Sequence, residues 1–278
     1  SPADMLRQLR HQSVAHVTQD EGCRIVWQQW PATAKTERPP LVLLHGGFGS
    51  WTHWVHNLAA LREKHTIWTL DLPGLGDSGD MPAPATTEHF AQLVLSGLDT
   101  LLGASSVFQL AGFSFGAMIA AHIAAQAGSR CTRLTVIGSA GCGSLHVQVP
   151  LLAPPSSACS QEQSESIQRE NLARLMLHGS DSIDDLAVYV HANNLARYRF
   201  NSRKLSRSED LLRALPLIEA PLVGVWGAED STAGGYDAII RREMLFRHHQ
   251  PDCEFHVLDG VGHWAMYEAP AQINHILA

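Results

Sequence analysis

Ser114 stands in Gly112-Phe113-Ser114-Phe115-Gly116, directly after the apolar run Val107–Ala111 and directly before the alanine-rich stretch Phe115–Ala127. A serine hydroxyl attacks a carbonyl only when it is exposed and when a base stands ready to take its proton. Small residues on both sides let the chain reverse sharply between a strand and a helix, which lifts the hydroxyl out of the turn. The helix that follows aims its first amides at any anion formed there. The pattern makes Ser114 the candidate nucleophile.

The base and the group that orients it are sought later in the chain. His263, in Gly262-His263-Trp264, follows the last apolar run and precedes the terminal helical stretch, where a loop can carry an imidazole over the sheet edge. His248 and His249 lie at a helix end and His256 inside a strand, positions that suit structural or solvated roles. The acid is expected after Leu222–Trp226, in Gly227-Ala228-Glu229-Asp230. Asp230 is preferred because it lies further along the turn and precedes Ser231-Thr232; Glu229 is the alternative, and Asp259 serves its own turn.

Leu44-His45-Gly46-Gly47-Phe48-Gly49 supplies a third element. Backbone N–H groups of Gly47 or Phe48 can pair with that of Phe115 to receive a developing oxyanion, and glycine allows the close approach. Gly74-Leu75-Gly76-Asp77-Ser78-Gly79 matches a dinucleotide-binding spacing, but Pro73, Pro82 and Pro84 deny it the helix that must hold a pyrophosphate. It reads as a turn.

The elements that must position these residues are short and nearly continuous in their hydrophobicity. Leu41–Leu44, Ile67–Leu70, Val107–Ala111, Leu134–Ile137, Leu222–Trp226 and Glu254–Leu258 suit central parallel strands covered on both faces. Gln12–Val17 and Cys23–Trp30 suggest an antiparallel hairpin at one edge. Helical patterns lie at Trp54–Glu63, Thr87–Leu102, Phe115–Ala127, Tyr236–His248 and Ala271–Ala278. The alternation predicts an α/β fold with a doubly wound, mostly parallel sheet. Between Ile137 and Leu222 no strand is evident. A soft Pro/Ser patch from Pro150 to Ser160 precedes helical patterns at Ser164–His178 and Ser182–Ala196, so a helical lid is expected. Residues 1–140 and 216–278 then form the core and 141–215 the cap.

Composition bounds the function. The chain has 278 residues, 45% hydrophobic and 17% charged, with 20 basic against 27 acidic side chains and a net charge of −7. That balance offers no basic footprint for nucleic acid or an anionic membrane, and no run is long enough to span a bilayer. Five dispersed cysteines form neither a disulfide framework nor a zinc pattern, which suggests reduced thiols in a cytoplasm. No cofactor or metal is implied, since the histidines show no H-x-x-x-H pair. A small molecule is the expected partner; the oligomeric state is open.

The set His45-Gly46-Gly47, Asp71 to Ser78, Gly112 to Gly116, Trp226 to Asp230 and Gly262-His263-Trp264 resembles the α/β-hydrolase superfamily. The resemblance runs from about Leu41 to the end, with Gly141–Leu215 matching the variable cap. It implies acyl transfer to water by Ser114, His263 and Asp230, in a pocket lined by residues such as Phe48, Trp51, Phe113, Phe115 and Trp264. The double glycine, Trp264 and the lid sequence Asn194–Phe200 are similar to meta-cleavage-product hydrolases, which cut C–C bonds of dienoates. Gly47-Phe48-Gly49-Ser50 departs from that group's run of glycines followed by proline, and Phe113 stands where it tends to carry asparagine. An ester of a small apolar acid or alcohol is therefore the leading substrate class, C–C cleavage the second, and a non-catalytic receptor on the same fold the third. For C–C cleavage the substrate carboxylate needs a cation, for which Arg197 and Arg199 are the candidates. Residues two apart do not share a helix face, so under C–C cleavage only one of them, preferably Arg197, would face inward; otherwise both are solvated surface arginines, which is the favoured reading.

Overall fold

The computed structural model describes residues 1–153 and 158–278. Its centre is one eight-stranded sheet, built from β1 (Val14–Asp20), β2 (Cys23–Trp30), β3 (Leu41–Leu44), β4 (Ile67–Asp71), β5 (Phe108–Phe113), β6 (Cys131–Ile137), β7 (Leu222–Gly227) and β8 (Glu254–Leu258). The spatial order is β1-β2-β4-β3-β5-β6-β7-β8. β1 and β2 form the expected edge hairpin and β2 pairs antiparallel with β4; every later pairing is parallel.

The helices are α1 (Pro2–His11), α2 (Leu58–Leu61), α3 (Thr87–Leu102), α4 (Phe115–Ala127), α5 (Gln161–Leu175), α6 (Asp185–Leu195), α7 (Arg203–Ser206), α8 (Asp210–Ala214), α9 (Tyr236–His249), α10 (Ala265–Glu268) and α11 (Pro270–Leu277). None among the described residues is long and apolar enough to cross a membrane. Four of them, α5 to α8, lie in the segment inserted between β6 and β7, which carries no strand among its described residues. Part of the Pro150–Ser160 patch falls outside the described residues.

Continuous hydrophobicity in the strands follows from two cores, one on each sheet face. Val42, Leu44 and Leu110 join Phe90, Phe115 and Ile119 on one side. Leu41, Leu43, Ala111 and Phe113 join Trp30, Trp54, Val190 and Ile273 on the other. Each such side chain, fully buried, contributes about 1.5–3 kcal/mol. With both neighbours buried, a strand has no polar face to show.

Two local expectations need correction. The helix predicted over Trp54–Glu63 is a 3-10 turn, Trp51–Trp54, followed by the single turn α2. Its break is tertiary: buried Asn57 gives its side-chain amide to the Met266 carbonyl at 3.2 Å and to Asn274 at 2.9 Å, which pins the chain between two helix-like turns. Helix α1 was not anticipated. Its signals are local, with Ser1 and Asp4 forming a capping box and Pro2 in the first turn.

The chain order places the site. β3 lies between β4 and β5, so the connection after β3 goes to one side and β5 lies on the other. Loops leaving the C-terminal ends of β3 and β5 therefore diverge and open a crevice, the usual ligand position in such sheets. These are the loops carrying His45–Gly49 and Ser114.

Candidate active site

β5 continues to Phe113, two residues beyond its expected end, and α4 starts at Phe115. Ser114 alone makes the turn, with φ 52° and ψ −115°. A non-glycine residue in that region carries strain of about 1–3 kcal/mol and persists only if its surroundings demand it. Here they do. A Cβ at Gly112 would lie 2.5 Å from the Ala117 Cα, and one at Gly116 only 2.2 Å from the His45 carbonyl oxygen. The Ser114 amide donates to Ile137 at 2.9 Å and its carbonyl accepts from Ala140 at 3.1 Å, which ties the turn to β6.

Three side chains from three strand ends meet at this turn. Ser114 Oγ lies 3.0 Å from His263 Nε2, and His263 Nδ1 lies 2.8 Å from Asp230 Oδ2. Asp230 Oδ1 accepts from the Thr232 amide at 2.8 Å and hydroxyl at 2.7 Å. With the carboxylate on Nδ1, the ring proton sits there and Nε2 is free to accept from the serine. Burial opposes ionisation of Asp230, but the His263 imidazole and the Thr232 hydrogen bonds outweigh it and hold the carboxyl below its ordinary range. Glu229 is exposed and Asp230 buried, which separates the two candidates for the acid. Asp259 is exposed. Thr232 was not singled out by sequence, although an acceptor two residues before an amide is the signature of an Asx turn.

The loop after β3 abuts the turn. A Cβ at Gly46 would stand 3.4 Å from the Ser114 Cβ, and one at Gly47 3.7 Å from the Phe115 Cβ. Two buried histidines hold it there. His45 donates from Nδ1 to the Gly46 carbonyl at 2.7 Å and accepts the Leu72 amide on Nε2 at 2.9 Å. His53 Nδ1 accepts the Gly46 amide at 3.2 Å, its ring between Phe113 and Trp264 and its carbonyl taking the Trp264 indole N–H at 2.9 Å. Both bonds to Nδ1 and Nε2 require neutral rings. Sequence reading passed over His53, because nothing in its neighbours reveals that the chain folds it under Gly46.

Protonation of these rings is disfavoured in the folded state. Burial lowers His45, His146 and His191 to about 4 and puts His53 well below its ordinary value. The unfolded chain titrates near ~6.5. As pH falls from there toward about 4, the unfolded state takes up protons that the folded state refuses, so stability is lost. Asp71 acts oppositely: burial pushes it up to about 6, so it gains a proton earlier when folded and offsets one histidine of the four. The melting temperature should therefore fall steadily from pH 6.5 to 4.5. A flat profile would contradict neutral, buried histidines.

The expected pocket residues divide. Phe113 packs on the His263 ring at 4.8 Å and Trp264 on Tyr267 at 4.4 Å, both buried around the histidines. Phe48 takes a positive φ of 53° and sets its ring edge-on to Tyr198 at 4.8 Å. Trp51 lies 5.4 Å from Trp30 and gives its amide to Asp71, which makes it part of the core beneath the loop.

Arg197 and Arg199 lie on the surface, as the favoured reading has them, and neither is placed as the inward-facing cation that C–C cleavage would need. The segment after α6 is not helical at these positions, so helix-face spacing does not decide their sides. Both arginines face outward, with Arg197 on Asp77 at 3.0 Å and Arg199 on Asp80 at 2.6 Å, each half-exposed. They tie the inserted segment to the loop following β4, which folds back on Asp71 through the Asp77 amide at 2.8 Å and forms no helix.

Cys23, Cys131, Cys142 and Cys253 are free, buried thiols, and among the described residues no group of three or more His, Cys, Asp or Glu could hold a metal ion. Residues 41–276 match the model of the alpha/beta hydrolase family. The chain belongs to the α/β hydrolase family. This α/β hydrolase is 28% identical to the dihydrolipoyllysine-residue acetyltransferase component of an acetoin cleaving system from Pseudomonas putida, over 84% of the chain but 61% of that relative. It thus spans about three-fifths of that protein's length. It is 25% identical to a 2-hydroxy-6-oxononadienedioate/2-hydroxy-6-oxononatrienedioate hydrolase from Paraburkholderia phymatum, with 85% of each chain covered. It is 26% identical to a pimeloyl-[acyl-carrier protein] methyl ester esterase from Cronobacter sakazakii, covering 87% of this chain and 93% of that one. The fold is shared with naproxen esterase from Bacillus subtilis at a TM-score of 0.72 and 16% identity, over 99% and 95% of the two chains. Hydrolysis on the α/β-hydrolase fold is the function these findings carry.

Proposed function

We propose that this α/β hydrolase cleaves a small, largely apolar carboxylic ester through an acyl-enzyme. The observation that carries the reading is the hydrogen-bonded order Ser114, His263, Asp230 on a strained turn facing Gly47. Ser114 Oγ would bond to the ester carbon while its proton passes to His263 Nε2. The carbonyl oxygen, now an anion, would be received by the Gly47 and Phe115 amides, with Phe48 the alternative to Gly47. The C–O bond to the alcohol then breaks, and His263 returns the proton to the leaving oxygen. Water, deprotonated by His263, attacks the acyl carbon and releases the acid and Ser114. The inserted segment, residues 141–215, acts as the cap over this site. A fluorophosphonate probe should label Ser114, and p-nitrophenyl esters of graded chain length should turn over with a burst. Absence of both would favour a receptor.

C–C cleavage is the second reading, supported by the name of the Paraburkholderia relative. The engagement of both lid arginines with Asp77 and Asp80 weighs against it, since it leaves neither as a spare cation for a carboxylate. Arg197→Met and Arg199→Met should therefore change kcat/KM equally for a neutral p-nitrophenyl ester and an anionic dienoate. A KM increase confined to the dienoate would favour C–C cleavage.

A further inference from the structure

Residues 198–203 run over the loop after β3 and meet it residue by residue. Tyr198 packs on Phe48 at 4.8 Å, and the Phe200 ring lies 6.1 Å from that of Phe115, nearly parallel to it. Ser202 meets Gly47: a Cβ there would stand 2.3 Å from the Ser202 Oγ. One side of the segment thus touches all three residues whose amides could form an oxyanion hole, while Arg197 and Arg199 occupy the other side.

The segment is held firmly enough to position a group. The Arg199 and Phe200 amides both donate to the Gly74 carbonyl, at 2.8 and 3.1 Å. The Ser202 carbonyl accepts from the Ser206 amide at 2.9 Å and hydroxyl at 3.0 Å, and Asn201 Oδ1 accepts the Arg203 amide at 3.1 Å. Ser202 is 2% exposed. Its hydroxyl makes no hydrogen bond with any described residue, so it is free to donate to a group brought against the loop at Gly47.

We infer that Ser202 Oγ is a third donor of the oxyanion hole, supplied by the inserted segment, whose acceptor is the substrate carbonyl oxygen as it becomes the tetrahedral anion. The inference rests on the acyl-transfer reading above. The hydroxyl keeps its proton throughout; the proton that moves is the one from Ser114 to His263. Glycine at 47 is then needed to leave room for this hydroxyl as well as for the approach of its own amide. A donor carried by the inserted segment also completes the hole only for substrates short enough to let that segment lie in place.

Ser202→Ala should lower kcat/KM for p-nitrophenyl butyrate by about 10- to 100-fold, mostly in kcat, because the bond strengthens as charge develops. A trifluoromethyl ketone, which adds to Ser114 and mimics the tetrahedral anion, should lose affinity by the same factor. KM should change little, a split that a merely structural role would not produce. Ser202→Cys fills the same space with a weak donor and should lose rate to a similar order, which covers the case of an alanine variant that fails to fold. Wild-type rates in either folded variant, or a rate loss without matching loss of ketone affinity, would overturn the assignment. Failure of the wild type to react with a fluorophosphonate would instead sink the acyl-transfer reading itself, which keeps the two failures apart.

Discussion

Ser114→Ala is expected to abolish ester hydrolysis, with kcat reduced by a factor on the order of 10⁵ or more. No other hydroxyl among the described residues is hydrogen-bonded to His263 Nε2, so nothing replaces the lost nucleophile. The fold should survive. The φ of 52° at this position is imposed by β5, α4 and the contacts of Gly112 and Gly116, and alanine differs from serine there only by the hydroxyl. The melting temperature should stay within a few degrees of wild type, and fluorophosphonate labelling should vanish. Residual turnover within a few-fold of wild type would remove Ser114 from the mechanism.

The second large effect is expected at the acid. Asp230→Asn should lower kcat by roughly 10⁴, because an amide facing Nδ1 favours the tautomer with its proton on Nε2, and that ring cannot accept from Ser114. The Thr232 amide and hydroxyl, which both donate to Oδ1, would keep the amide oxygen on their side and so hold the NH2 group toward Nδ1. Glu229→Gln should change kcat by less than a few-fold, since the Glu229 side chain is exposed while its backbone amide alone is engaged, with Val261. Steady-state kinetics on the pair, with melting curves as a control for folding, decide the matter. A reversed order of effects would place the acid one residue earlier.

Asp230 and Glu229 also show where sequence reading stops. Both are carboxylates on one loop, and position along the turn favoured Asp230; only the fold shows one buried against His263 and the other in solvent. The aromatic residues divide in the same way. Phe113 and Trp264 flank Ser114 and His263 in sequence and pack around the histidines, whereas Trp51, in the same buried cluster, packs on Trp30. Flanking a reactive residue in the chain says little about which face of a loop a ring will take.

What the sequence determined by itself is whatever depends on contacts between near neighbours. The six parallel strands, the edge hairpin and the strand–serine–helix junction are written in runs of apolar residues bounded by glycine, and local sterics suffice to read them. The same holds for the failed dinucleotide match, where three prolines exclude a helix. The tertiary structure alone decided the features made by residues far apart in the chain. Asn57 breaks a helix by reaching Met266 and Asn274. His53 holds Gly46 only because the turn at Trp51–Trp54 tucks beneath β3. Arg197 and Arg199 both face outward on Asp77 and Asp80, where the backbone after α6 is tied to Gly74 in a non-helical course to which helix-face spacing does not apply. That same tie brings Ser202 onto Gly47, a juxtaposition between residues 155 positions apart that no local pattern encodes.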